Sequence, residues 1–263
     1  MANPFTPGAP GPAGPWDPRN PHRPQQNFSQ RWQRFTRVWS NNWRLNGPNI
    51  TQAIVALNLL VFVMQEVLKL FPVASATFTS YTALISGYSL FYPWTLLTSA
   101  FMHTGFTHIL MNMLILYFVG KELEKLLGHR AFLSMYLISA LGGSVAYVLW
   151  HGAAISAVMG ASGAIYGLFG AMMTVYNRIG SRSQGMLLFL FITLFVPIFF
   201  GNVAWQAHLG GFITGAALST LMMRGLPIWR SASINKRMAI YGTFMTVLLL
   251  IAWSARLVFA LFF

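Results

Sequence analysis

Stretches of about 20 apolar residues, enough to cross the hydrocarbon core of a bilayer as helices, recur along this 263-residue chain. They fall at 52–70, 104–124, 131–151, 161–178, 186–201, 203–223 and 238–262. A lone spanning segment satisfies its backbone hydrogen bonds only as a helix, so the pattern predicts an all-α polytopic membrane protein with seven spans. The fifth is the shortest. The seventh follows a basic linker, RSASINKR, and reads as an appendage to a six-helix unit. Because 56% of the residues are hydrophobic and only 8% charged, the chain has too little polar surface to cover a water-soluble globule.

A net charge of +13 would suggest nucleic-acid binding in a soluble protein, but the distribution of the charges argues against it. With the amino terminus in the cytoplasm, 15 of the 17 basic residues fall on that side, and only Lys69 and Arg256 lie near the other face. The second, fourth and sixth spans then begin at the exterior. The chain has no cysteine, which excludes disulfides and thiol chemistry. Its opening residues, MANPFTPGAPGPAGPWDP, lack the basic start and apolar core of a cleavable signal.

Eight of the 13 prolines lie in the first 24 residues, so 1–27 is expected to be a disordered cytoplasmic tail. Residues 28–50 form a basic juxtamembrane segment. Phe28, Trp32, Phe35, Trp39 and Trp43 recur there at helical spacing, opposite Arg31, Arg34 and Arg37. This fits an amphipathic helix on an anionic leaflet or a plain topology-setting flank. About 30 residues after the first span are too apolar for an exposed loop yet rich in Ser, Thr, Gly and Pro. They predict a re-entrant element beside a wet pocket.

Polar groups inside hydrocarbon are costly, and those that persist often line water or perform chemistry. HTGFTHILMN supplies His103, His108 and Asn112 near the outer end of the second span, the last two on one helical face. Ser162, in GASGAIYG, opens the fourth span, and His208, in WQAHLGGFITG, lies about one turn into the sixth. At a rise of about 1.5 Å per residue, Ser162, His208 and His108 all sit within roughly 10 Å of the outer surface. Ala207, Gly211, Gly215 and Ser219 repeat at four-residue intervals, as do Gly163, Gly167 and Ala171. Such seams let membrane helices approach closely. On their own they mean packing, but this packing also brings His208 toward Ser162. Of the four acids, Asp17 is in the tail and Glu122 and Glu124 sit at the inner end of the second span. Glu66 has a suitable depth, but nothing brings it beside His208. A serine–histidine dyad is the simplest arrangement for acyl transfer. Tyr166 shares the face of Ser162 and is suited to pack against the imidazole. His108, Asn112 and the Ser162 backbone N–H are suitable oxyanion donors.

These motifs resemble those of the rhomboid intramembrane serine proteases. GASGAIYG is similar to the family's Gly-x-Ser-Gly, AHLGGFITG to its Ala-His-x-x-Gly-x-x-x-Gly, and HTGFTHILMN to its His…His-x-x-x-Asn, over roughly residues 50–225. The resemblance implies a six-helix core at 51–225, with 226–263 adding a linker and a seventh helix. It implies Ser162 as nucleophile, His208 as base, His108 and Asn112 in the oxyanion hole, and Tyr166, His103 and Gly160 in support. No cofactor or metal is implied. The implied partners are single-span membrane proteins and the bilayer, with no nucleic acid, and the implied location is a bacterial plasma membrane. A gate near the fifth span, LLFLFITLFVPIFFG, would admit a substrate helix sideways. Glu124 matches a structural glutamate of the family's second helix. One departure is Trp94-Thr95, where many members carry Trp-Arg, and it bears on how the first loop is anchored.

Two other classes are weighed against this reading. A catalytically dead relative would generally lack the serine or the histidine, and both are present. A metal-binding protein or transporter would use His103, His108 and His208, but five-residue spacing suits one helical face poorly and no inverted repeat is visible. His22, His129 and His151 read as solvated.

Overall fold

The computed structural model describes residues 49–178, 185 and 203–262, with side chains as far as Arg256. Contacts divide the chain into Met1–Gly47 and Pro48–Phe263, and every described residue belongs to the second unit. Expectations for the tail, for nearly all of the basic segment and for the fifth span fall outside the described residues.

Helices appear at six of the seven predicted spans, with shifts of a few residues at their ends. They are α1 (Asn49–Leu68), α4 (Phe106–Leu127), α5 (His129–His151), α6 (Ser162–Arg178), α7 (Trp205–Arg224) and α8 (Ile234–Phe262). Between α1 and α4 lie α2 (Pro72–Thr82) and the single turn α3 (Thr95–Thr98). Pro72 opens α2, where its missing N–H costs nothing. The chain from Thr95 to Phe101 meets α4 at a 95° bend, as a broken span or re-entrant segment does. The structure also adds a two-stranded antiparallel ribbon that the apolar pattern does not reveal. It pairs β1 (Leu84–Ile85) with β2 (Ala157–Val158), Leu84 opposite Val158.

Among the described residues, three helices are long and apolar enough to span alone, namely α1, α5 and α8, and the bent pair ending in α4 would make a fourth. The protein is a multi-pass membrane protein in which the helices divide by surroundings. Only 22% of the apolar window of α1, and of α8, is buried inside the protein, against 67% for α5. Ten of the 17 residues of α6 and eight of the 20 of α7 are buried, so the neighbours of these two helices are largely protein.

Glycine makes that centre possible. A Cβ on Gly211 would lie 1.9 Å from the Gly163 carbonyl oxygen, and one on Gly215 would lie 1.9 Å from that of Gly167. The backbones of α6 and α7 therefore touch, as the seams predict. Helix α5 closes on the same pair, since a Cβ on Gly142 would meet Thr214 Oγ1 at 2.0 Å. Around this centre Leu116, Leu123, Phe132, Met135, Tyr136 and Leu168 are fully buried.

Candidate active site

Helices α4, α6 and α7 run in the same sense, and each presents a polar side chain from its first turn. His108 is the third residue of α4, Ser162 the first of α6 and His208 the fourth of α7. The antiparallel α5 brings its last turn, with Tyr147 and His151, to the same end. These side chains line a cavity of about 760 Å³ together with Thr104, Asn112, Ser156, Gln206 and others.

Ser162 Oγ lies 2.8 Å from His208 Nε2. The imidazole is buried, and Tyr166 stacks on it with ring centroids 4.3 Å apart and planes 16° from parallel. Among the described residues, His208 Nδ1 has no hydrogen-bond partner. No described carboxylate serves it. Glu66 pairs with Lys69 at 2.6 Å, Glu122 with Lys125 at 3.3 Å, and Glu124 is held by Ile50, Thr51 and His129. The ring is oriented by stacking, with no acid in contact among the described residues.

Gly160 is required twice. Its φ of +139° is a backbone state that side chains resist, and a Cβ there would come 2.8 Å from His108 Cε1 and 2.9 Å from Nε2. The His108 ring thus lies over the Gly160 backbone beside Ser162. Thr104 Oγ1 sits 3.0 Å from His108 Nδ1, and the Thr104 N–H points at the same atom from 3.5 Å. A backbone N–H can only donate, so Nδ1 is the acceptor and the ring hydrogen belongs on Nε2. Asn112 Nδ2 donates to the His108 carbonyl at 2.8 Å, from the next turn of the same face. At the start of α6 the helical ladder begins with Ile165 N–H to Ala161 O. The N–H groups of Ser162 and Gly163 belong to the unpaired first turn, at the positive end of the helix dipole.

His103 is buried 5.1 Å, centroid to centroid, from His108 in an edge-on pair, and its ring nitrogens have no partner among the described residues. Gln65 grips its backbone from both sides, accepting from its N–H and donating to its carbonyl at 3.0 Å each. No cluster of three His, Cys, Asp or Glu suited to a metal occurs among the described residues.

Sequence reasoning missed Thr104, Gln65, Tyr147 and Ser156. The only available hint to Thr104 is its place four residues before His108. Two histidines read as solvated have partners: His151 lines the cavity with its ring 4.1 Å from that of Tyr147, and His129 bonds Glu124. The first loop, lacking the arginine, is pinned by Trp94, whose indole N–H donates to Tyr81 O at 2.8 Å.

The profile of the rhomboid domain matches residues 90–225, just over half the chain and all the motifs above. The chain belongs to the rhomboid family. It is 32% identical over 136 residues to a Bacillus subtilis protein named putative rhomboid protease YdcA, covering 50% of this chain and 68% of that protein. A second Bacillus subtilis relative, rhomboid protease GluP, is 31% identical over 150 residues, which cover 55% of this chain and 28% of that one. RHOMBOID-like protein 5 of Arabidopsis thaliana is 33% identical over 137 residues, 49% of this chain and 44% of its own length. This rhomboid chain thus spans less than half the length of its plant relative.

Proposed function

We propose that this chain is an intramembrane serine endopeptidase that works with a dyad of Ser162 and His208. The observation that carries the reading is the 2.8 Å approach of Ser162 Oγ to His208 Nε2 at the wall of a cavity within a largely apolar bundle. Two relatives named as rhomboid proteases support the reaction class.

In this mechanism Ser162 Oγ attacks the carbonyl carbon of the scissile peptide while its proton passes to His208 Nε2. The carbonyl oxygen becomes an oxyanion, which takes hydrogen bonds from His108 Nε2–H, from Asn112 and from the backbone N–H at the start of α6. The C–N bond then breaks, and His208 returns the proton to the leaving amine. The acyl group stays on Oγ until water attacks it, His208 removing a proton from that water and returning it to Ser162. Tyr166 holds the imidazole in plane through these transfers. His103 backs His108, and Gly160 gives it room.

The substrates are single-span membrane proteins cut in or near the helix, where local unwinding exposes the backbone. The bilayer is a bacterial plasma membrane, with the amino terminus cytoplasmic and the cavity near the outer face, as the charge bias supports. Residues 51–225 carry the activity, and 226–263 are an addition to it.

Purified protein in detergent is expected to cleave a single-span substrate and to be labelled covalently by a fluorophosphonate, with both lost in Ser162→Ala and cleavage lost in His208→Ala. Normal cleavage by Ser162→Ala would overturn the assignment.

A further inference from the structure

The seventh helix, α8, is an appendage in sequence, yet its last described turns reach the wall of the cavity. Leu249, Ala252 and Trp253 of α8 join a hydrophobic cluster with Leu84, Leu96, Tyr147, Val158 and Ala207. Tyr147 and Val158 also line the cavity, and Ala207 precedes His208.

A line of hydrogen bonds runs through this cluster. Trp253 Nε1–H donates to Ser89 Oγ at 3.2 Å, and the Ser89 hydroxyl donates onward to Ser86 O at 2.8 Å. Both serines are fully buried. Ser86 in turn donates from Oγ to Gly152 O at 2.5 Å and from N–H to Ser156 O at 2.9 Å. Ser156 Oγ lies 2.6 Å from Tyr147 Oη, which donates to Ala157 O at 3.0 Å. Three residues beyond Trp253 on α8, Arg256 reaches the start of the same segment. Its Nε donates to Leu149 O at 3.4 Å, and its Nη2 would stand 2.6 Å from a Cβ on Gly152. A cation there faces the negative end of the α5 dipole. Segment 152–158 is thereby held from its start by Arg256 and along its length by the Trp253–Ser89–Ser86 line. It leads through Met159 and Gly160 to Ser162.

We propose that Trp253 and Arg256 are positioning residues through which α8 fixes the Ser156–Val158 wall, and with it the seat of the substrate chain beside Ser162. The proposal rests on Ser162 being the nucleophile. Neither residue touches the reacting atoms, so their effect belongs to seating the substrate.

The test compares two reactions of the full chain. One is cleavage of a single-span substrate, which needs the wall; the other is labelling of Ser162 by a small fluorophosphonate, which does not. In Trp253→Phe, which keeps a ring but loses the N–H, KM is expected to rise about fivefold, the worth of one hydrogen bond. The labelling rate should stay within about twofold of the parent. Ser89→Ala, which removes the bond to Ser86 O as well, should raise KM at least as much, and the double variant should be no worse than Ser89→Ala, because the Trp253 bond is already lost there. Arg256→Gln should raise KM in the same way, and Arg256→Lys should restore most of the loss. Additive effects of Trp253→Phe and Ser89→Ala, a parallel fall of labelling and cleavage, or an unchanged KM would each overturn the proposal. Failure of the nucleophile assignment is read separately, from cleavage and labelling by Ser162→Ala.

Discussion

Helix α4 carries a buried polar cluster at each end, and the two are built on opposite principles. At its carboxyl end the Glu124 carboxylate is only 2% exposed, and its capacity is filled. Oε1 accepts from the Ile50 N–H at 2.8 Å and from His129, while Oε2 accepts from the Thr51 N–H at 2.9 Å and the Thr51 hydroxyl at 2.6 Å. Donors from α1 and α5 saturate it. At the amino end, His108 and Asn112 face a cavity of about 760 Å³ with donor capacity to spare, beside a serine and a histidine bonded mainly to each other. In an apolar bundle a saturated polar cluster ties helices together, whereas an unsaturated one beside a cavity is available to a ligand.

The sharpest way to break this contrast is to remove a group from each end. Ser162→Ala and His208→Ala should each lower turnover about 10⁴-fold or more, with the thermal unfolding midpoint in detergent unchanged. At the other end, Glu124→Ala strands the N–H and hydroxyl of the buried Thr51 and takes the acceptor from the half-buried Ile50 N–H and His129. A loss of about 3 kcal/mol of stability is expected from the orphaned donors, read as a lower unfolding midpoint, while turnover per folded molecule stays near that of the parent. Should Glu124→Ala spare the midpoint and reduce turnover instead, the two ends would not be divided as argued.

Much of this contrast is legible in the sequence, and the rest fails for identifiable reasons. Spans and seams show through because hydrophobicity and glycine spacing are local and periodic. Gly211 and Gly215 predict the α6–α7 contact that their missing side chains permit. His108, Asn112, Ser162 and His208 stand out because polar residues are rare in such helices. The ribbon of β1 with β2 is two residues a side and 73 positions apart, too short to leave an alternating pattern. Gln65 and Thr104 act through bonds to a backbone and to a ring edge, and such roles leave no mark on residue spacing. His129 and His151 sit at helix ends, where a solvated histidine is common, and only the fold reveals the carboxylate and tyrosine beside them.

A smaller effect separates binding of the oxyanion from general support. Asn112 is buried and donates to the His108 carbonyl, so a purely structural asparagine would also be costly to lose. Asn112→Ala is expected to lower kcat about 100-fold, the usual worth of one oxyanion donor, with KM and the unfolding midpoint little changed. A drop in the midpoint with normal kcat would assign Asn112 to packing, and the amino end of α4 would then resemble the Glu124 end more than the contrast allows.

The smallest effect probes the hydrogen-bond pattern itself. Thr104 is exposed, so replacing it barely alters stability, yet its hydroxyl and N–H both converge on His108 Nδ1. With the hydroxyl removed, the imidazole is freer to carry its hydrogen on Nδ1, and Nε2 would then present a lone pair to the developing oxyanion in place of a donor. Thr104→Val keeps the shape of the side chain and is expected to lower kcat about fivefold, the net worth of one hydrogen bond, while KM stays constant. Thr104→Ser keeps the hydroxyl and should retain the parent kcat. If the serine variant is as slow as the valine one, the methyl group matters and the hydrogen bond does not, and His108 then needs another source for the orientation of its donor.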